Sequence, residues 1–178
     1  MIKYKDTEKR IWQAFFQLLE VEKFEKITIN EICKQSKISR TTFYRHYVDK
    51  YRLLSTINHY FSTSLGYFLK HRVHQENITA SLVDIAKFLS VNSEVVLVLL
   101  TIHTPESDLQ ELFKKVLHIE FADYVTRQHK SSVFPSNYLI EIYVAISMVF
   151  LSYSLRNGLD VDVIRSIDDI QKHIFATL

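Results

Sequence analysis

Apolar and polar positions recur at helical spacing along nearly the whole chain, and each period ends in a short polar break followed by a capping residue. Over residues 6–22, Ile11, Ala14, Phe15, Leu18 and Leu19 form one stripe with Trp12 beside it, and Asp6 or Thr7 stands at the start as a cap. Phe24 and Ile27 close the next connection. Thr28 with Glu31 three residues later spells a capping box, in which hydroxyl and carboxylate each satisfy a backbone N–H of the other residue. Ile29, Ile32 and Cys33 then share a face. Gln35-Ser36-Lys37 breaks the pattern, Ile38 reads as a buried plug, and Ser39 is a second N-cap. The segment after it is not an ordinary amphipathic helix. Arg40, Thr41, Thr42, Tyr44, Arg45 and His46 are all hydrogen-bond donors, and only Phe43 and Tyr47 remain as anchors. Two helices across a tight turn, the second rich in donors, spell a helix-turn-helix whose second helix lies in a DNA major groove.

Beyond the motif the periods lengthen. A helix from near Asp49 to about Arg72 turns Leu54, Ile57, Phe61, Leu65 and Phe68 inward and links the two parts of the chain. A short helix over 80–90 follows, with Leu82, Val83, Ile85, Ala86 and Leu89 inward, and then one from Glu94 to about Ile102. Thr104-Pro105-Glu106 reads as the start of a further helix, with Pro at its first position, and Gln128 to Val133 as a polar loop. From Ser136 to about Arg156 the chain is apolar on two faces, Leu139, Tyr143, Ile146, Phe150 and Tyr153 on one, Ile140, Val144, Met148, Leu151 and Leu155 on the other. Such a helix is covered on both sides, by its own core and by a partner subunit. The last helix, about Val161 to Phe175, carries Ile164, Ile167, Ile170, Ile174 and Phe175. Two helices from each of two subunits make a four-helix bundle, so a homodimer through residues 136–175 is expected, with Leu151 and Ile167 at its interface. The expected fold is all-α with about nine helices: residues 1–48 as a three-helix helix-turn-helix domain, and 49–178 as a helical ligand-binding and dimerisation domain.

Composition narrows this further. Two Gly and two Pro in 178 residues argue against a β-rich fold, which needs turn residues every few positions. Residues 1–52 carry twelve Lys/Arg against seven Asp/Glu, and the remainder ten against thirteen, so the basic excess sits with the motif and suits a polyanion bound at that end. Lys3, Lys5, Lys9 and Arg10 crowd the start of the first helix, either as phosphate contacts or as a solvated end. The single cysteine, Cys33, fits a reducing cytoplasm. The N-terminal residues have no signal-peptide pattern, and the apolar run Leu139 to Leu155 contains Glu141 and falls short of the ~20 residues of a membrane span. There is no Gly-rich phosphate loop, no His-Glu-x-x-His and no Cys-x-x-Cys. His71 and His74 lack a third ligand nearby, and a His at a helix C-terminus is favourable by itself. Adjacent Asp168 and Asp169 read as solvated. No metal, cofactor or enzyme chemistry is expected.

The run Ser39-Arg40-Thr41-Thr42-Phe43-Tyr44-Arg45-His46-Tyr47, followed by Asp49-Lys50 and Leu53-Leu54, resembles the DNA-binding segment of the TetR family of bacterial transcriptional regulators. The likeness covers about the first fifty-five residues. It departs from the family's pattern at Lys37, where Gly is common. The resemblance implies a dimeric regulator of a double-stranded DNA operator, usually a repressor released by a small molecule, with ligand-dependent activators also known. A small helical enzyme or a protein-interaction module is the alternative without a motif behind it. Arg40, Thr41 and Thr42 lie at the exposed start of the second helix as candidates for base edges. Tyr44, His46 and Lys50 are carried over from the family mainly as phosphate contacts, and Arg45 is a further donor. Phe61, Phe88, His103, Phe113, Phe121, Tyr143 and Phe150 are candidates to line an effector pocket in the C-terminal part, and an aromatic lining suits a mostly apolar ligand.

Overall fold

The computed structural model describes residues 6–74, 85, 87, 88, 90–128, 134–158 and 160–176. Eight helices are formed among them: α1 (Asp6–Val21), α2 (Ile29–Ser36), α3 (Arg40–His46), α4 (Lys50–His74), α5 (Ser93–Leu99), α6 (Leu109–Gln128), α7 (Ser136–Asn157) and α8 (Val161–Ala176). Ile85, Lys87, Phe88, Ser90 and Val91 are also helical. Of the helix expected over 80–90, residues 80–84, 86 and 89 lie outside the described residues. So do Lys3, Lys5, the 129–133 loop, and the side chains of His71, His74, Ile174 and Phe175.

The helices start where local chemistry caps them. Asp49 Oδ1 accepts the Arg52 N–H at 2.7 Å and opens α4. Asp160 Oδ1 accepts from Asp162 and Val163 and opens α8. Gly158, at φ 79°, ends α7, its N–H donating to the Ser154 carbonyl. The expected start of α6 at Pro105 is displaced. Thr104 and Ser107 close a turn on themselves, and the helix begins at Leu109, capped by Asp108. A carboxylate one residue before the first helical position is a better cap than the Thr at 104.

Packing runs in a chain of neighbours. α4 lies along α6, α6 along α7, and α7 against both α5 and α8; α1 packs on α2 and also reaches α5. The buried apolar side chains form one cluster from Ile11 to Ile167, so the core of the helix-turn-helix is continuous with that of the body. Polar groups are built into it. Asn58 on α4 is fully buried and donates to Ser107 Oγ at 2.9 Å, while its Oδ1 has no partner among the described residues. Gln171 donates to Ser147 Oγ at 3.0 Å across α7 and α8. Asp168, read as solvated, is buried, whereas its neighbour Asp169 is exposed.

α7 corrects two readings. Leu139, Ile140, Tyr143, Val144, Phe150, Leu151 and Leu155 are all buried within the single chain, so both of the expected faces belong largely to one core. Leu151 and Ile167, expected at a subunit interface, are 3% and 7% exposed. The face left open carries Tyr138, Glu141, Ala145, Val149 and Tyr153, with Val149 71% exposed. The helix runs from Ser136 to Asn157, one residue past the expected end. By length and composition alone its 22 residues suffice to cross a membrane, and half of its most apolar stretch is buried in the fold.

Candidate nucleic-acid interface

The helix-turn-helix is assembled from caps inward. Thr28 Oγ1 accepts the Glu31 N–H at 3.3 Å, and Glu31 Oε2 accepts the Thr28 N–H at 2.8 Å, which completes the capping box. The Thr28 hydroxyl also donates to Glu31 Oε2 at 2.7 Å, and these bonds hold the carboxyl below its ordinary range. At the other end of α2, Ile38 N–H bonds to the Cys33 carbonyl and Lys37 N–H to the Lys34 carbonyl, the paired bonds of a Schellman motif. That motif needs a left-handed residue after the helix, and Lys37 takes it, at φ 54° and ψ 46°. Arg10 supports the turn, its guanidinium donating to the carbonyls of Ser36 at 2.6 Å and Lys37 at 2.8 Å. This assigns Arg10 a structural partner, where the sequence left phosphate and solvent open.

Ser39 Oγ accepts the Thr42 N–H at 3.1 Å and starts α3. Phe43 is fully buried, and Tyr47 accepts the Trp12 Nε1–H at 2.9 Å in the interior, so α3 is anchored to α1 by the two residues read as its anchors. Burial raises the Tyr47 phenol above its ordinary range, keeping it neutral and able to accept. Burial likewise raises the Cys33 thiol, which suits a packed side chain and not a reactive one.

The donors of α3 divide. Arg40, Thr41, Tyr44 and Arg45 are exposed on one surface. The Arg40 guanidinium lies 5.8 Å from the Tyr44 ring centroid, and its Nη2 donates to the Tyr44 hydroxyl at 3.2 Å, so the two form a braced pair on that surface. Thr42 is half-buried, its hydroxyl 2.9 Å from Ser39 Oγ, and is shared with the cap. His46 turns back to α1, with Nδ1 3.6 Å from Glu8 Oε1.

Lys50 departs furthest from its expected role. Its ammonium donates to the carbonyls of Phe24 at 2.9 Å, Glu25 at 2.7 Å and Ile27 at 2.9 Å, and it lies 4.8 Å from the Phe24 ring centroid. All three N–H groups of the ammonium are thereby used, so the geometry does not support a free phosphate ligand. Burial pushes this amine below the ordinary lysine range against the pull of Glu25 and Glu31.

In the body, the expected pocket residues are not gathered around a space of ligand size among the described residues. Phe61, Phe113 and Phe121 are core, and Phe121 stacks on Tyr143 with centroids 4.2 Å apart. Phe88 packs at the edge of the core against Tyr60, Phe61 and Phe68. Tyr143 and Phe150 line a void of about 20 Å³ together with Leu65, Leu69, Ser147 and Gln171. His103 is elsewhere, more than half exposed and 2.6 Å from Asp108 Oδ2 at the start of α6. It lies away from the other candidates, on the loop before α6. Asn58, Ser147 and Gln171 were missed. Each lies on the inward stripe of its helix, and a polar residue on such a stripe is the signal that would have found them.

This geometry defines an all-helical helix-turn-helix protein with a braced, donor-bearing second helix. The helix-turn-helix domain of resolvase matches residues 12–49, from Trp12 to the cap of α4. No curated protein matches the chain. Among solved structures, a protein from Syntrophomonas wolfei assigned to the TetR family is similar at a TM-score of 0.71 and 14% identity, covering 99% of this chain and 98% of that one. A TetR transcriptional regulator from Streptococcus agalactiae gives 0.66 and 22%, with 92% of each chain covered. The dihydroxyacetone kinase operon activator DhaS gives 0.62 and 18%, covering 96% of this chain and 95% of that one. At these identities the likeness is one of fold: the chain has the fold of the TetR-family regulators over its full described length.

Proposed function

We propose that the chain is a dimeric, DNA-binding transcriptional regulator of the cytoplasm, a repressor released by a small-molecule effector. The reading divides it into a DNA-binding part, residues 1–48, and a regulatory and dimerisation part, residues 49–178. The observation that carries it is α3, capped by Ser39, anchored by Phe43 and Tyr47, and presenting Arg40, Thr41, Tyr44 and Arg45 together to solvent. Arg40, Thr41 and Thr42 would read base edges, with an Arg40–guanine pair contributing ~1–3 kcal/mol of discrimination. Tyr44 and Arg45 would hold phosphates, and His46 would join them only by leaving Glu8.

Dimerisation through α7 and α8 is supported by the open stripe Tyr138, Ala145, Val149 and Tyr153, with Ile170 exposed on α8. A monomer has no use for that stripe; a second copy would cover it. Release by an effector would act through the packing around α4. A ligand entering between α4, α6 and α7 must expand a 20 Å³ void, and α4 carries the helix-turn-helix. A ligand acts only by preferring one conformation, and the expanded one displaces α4. The likeness to an activator is of fold alone, so a promoter–reporter assay decides the sign. The direct test is selection from a random duplex pool with the purified protein. An enriched near-palindrome with half-sites ~34–36 Å apart, or a multiple of that, is expected; failure to enrich any sequence refutes the function.

A further inference from the structure

Two cations in the helix-turn-helix turn onto its own backbone. Arg10, from α1, holds the turn after α2, and Lys50, from the first turn of α4, holds the connection before it. The partners of Lys50 are 23 to 26 residues away in sequence. It thus ties α4 to the loop between α1 and α2. Three carbonyls converge on Nζ with the rings of Phe24 and Tyr51 at 4.8 and 5.6 Å, and the charges of Glu25 and Glu31 favour its protonated form. Only a protonated amine supplies three donors to three acceptors, so the pocket is built for the ammonium.

We propose that Lys50 is a positioning residue: it clamps the α1–α2 connection to α4 and so fixes the angle at which α3 is presented, and its charge does not contact DNA. A phosphate would have to displace at least one of these carbonyls, two of them part-buried, so the charged hydrogen bond gained is offset by the charged hydrogen bond lost. The recognition part rests on the DNA-binding reading above, whereas the clamp itself belongs to the free protein.

The test separates these. Lysine acylation by limiting acetic anhydride, read residue by residue by mass spectrometry, is applied to the full chain alone and with bulk duplex DNA at low salt. Lys50 should react at least about tenfold more slowly than exposed Lys26 and Lys37 without DNA, and its rate should not change when DNA is added. A Lys50 that reacts as fast as Lys37 and becomes protected by DNA overturns the proposal. If DNA protects no residue at all, the regulator reading fails while the clamp is still judged on the free protein. The second arm compares Lys50→Met with Arg45→Met on bulk duplex and on the duplex enriched by the wild type. Arg45→Met should lower the slope of log K against log salt by about one. Lys50→Met should keep the slope on bulk DNA yet lose most of the preference for the enriched duplex. A slope reduced by about one in Lys50→Met also overturns the proposal. Should that variant not fold, the acylation arm on the wild type decides alone.

Discussion

Lys37→Gly should stabilise the protein although it removes a side chain and adds none. Lys37 sits at φ 54° and ψ 46°, the only positive-φ residue besides Gly158 among the described residues. A side chain with a Cβ in that region costs about 1–2 kcal/mol, from the clash with the following carbonyl. Glycine avoids the clash but widens the unfolded ensemble, which returns about 0.4–1 kcal/mol. The net gain is about 0.5–1 kcal/mol, or roughly 1–4 °C in melting temperature for a chain of this length. Lys37→Ala isolates the strain from the charge, because it keeps the Cβ and loses the ammonium. Thermal and urea melts of the three proteins make the comparison. The reasoning predicts that alanine stays near wild type while glycine rises. If alanine and glycine are equally stable, the turn is not strained by its Cβ. The Arg10 bonds to the Ser36 and Lys37 carbonyls act on the folded state only. They oppose the strain without removing it, so the gain should survive them.

Three further outcomes are expected. Val149→Glu should give monomers by sedimentation while keeping the helical signal and fold, whereas Leu151→Glu should unfold the chain, since its side chain is buried in the protomer; equal effects from both would refute this division of α7. Phe61→Ala should cost ~3–5 kcal/mol in urea melts, because the ring is buried among Tyr60 and Phe88; a loss under 1 kcal/mol would mean that the site collapses freely. Asp108→Ala should cost about 1 kcal/mol at neutral pH through the lost α6 cap. Burial would raise the Asp108 carboxyl, but the bonds from His103 and the Glu111 N–H outweigh it and leave it below its ordinary value of 3.8. A depressed carboxyl stabilises the fold above that value and loses its contribution as pH falls through the folded pKa. The gap between variant and wild type should therefore shrink as the pH is lowered from the ordinary value of 3.8 through the folded pKa beneath it, and a constant gap would contradict the assignment.

What the sequence disclosed was what is local. The capping box at Thr28 and Glu31, the Ser39 cap and the anchors Phe43 and Tyr47 each depend on residues a few positions apart, and the structure has them. The departures are long-range. Lys50 and Arg10 carry the same charge in a sequence whether they face phosphate or carbonyl, and their acceptors lie more than twenty residues away. His46 meets Glu8 across two helices. α7 is apolar nearly all round, so periodicity established that it is covered without telling which face its own chain covers. Pro105 fits a first helical position, but Asp108 competes three residues later and prevails. Asn58, Asp168 and Gln171 look solvated by residue type and are buried by position.

The same long-range contacts set how the body would act on the motif. The void at Tyr143 and Phe150 is lined by Leu65 and Leu69, both on α4. Leu65 is fifteen residues from Lys50, or about 22 Å along a helix at 1.5 Å per residue. A tilt of ~5° about Leu65 would move the Lys50 end by roughly 2 Å over that length. Lys50 is bonded to the α1–α2 connection, so this displacement cannot be absorbed at the α3–α4 turn alone and is passed to the whole helix-turn-helix. A second contact resists it, since α1 also packs against α5, and α5 against α7. The motif is thus held to the body by α4 along one side and by α1 on α5 along the other. On the proposed reading, an effector that expands the void would bear on α4 directly and, because α7 lines the same void and packs on α5, on the second attachment as well. In the proposed two-fold dimer such a displacement would be applied twice with opposite sense, so the half-site spacing would change by more than either protomer moves. A coupling of ~1–3 kcal/mol is the usual scale of such effects. It amounts to one or two α3 donors per dimer losing their alignment, which is within reach of a 2 Å displacement of groups that bond over about 3 Å.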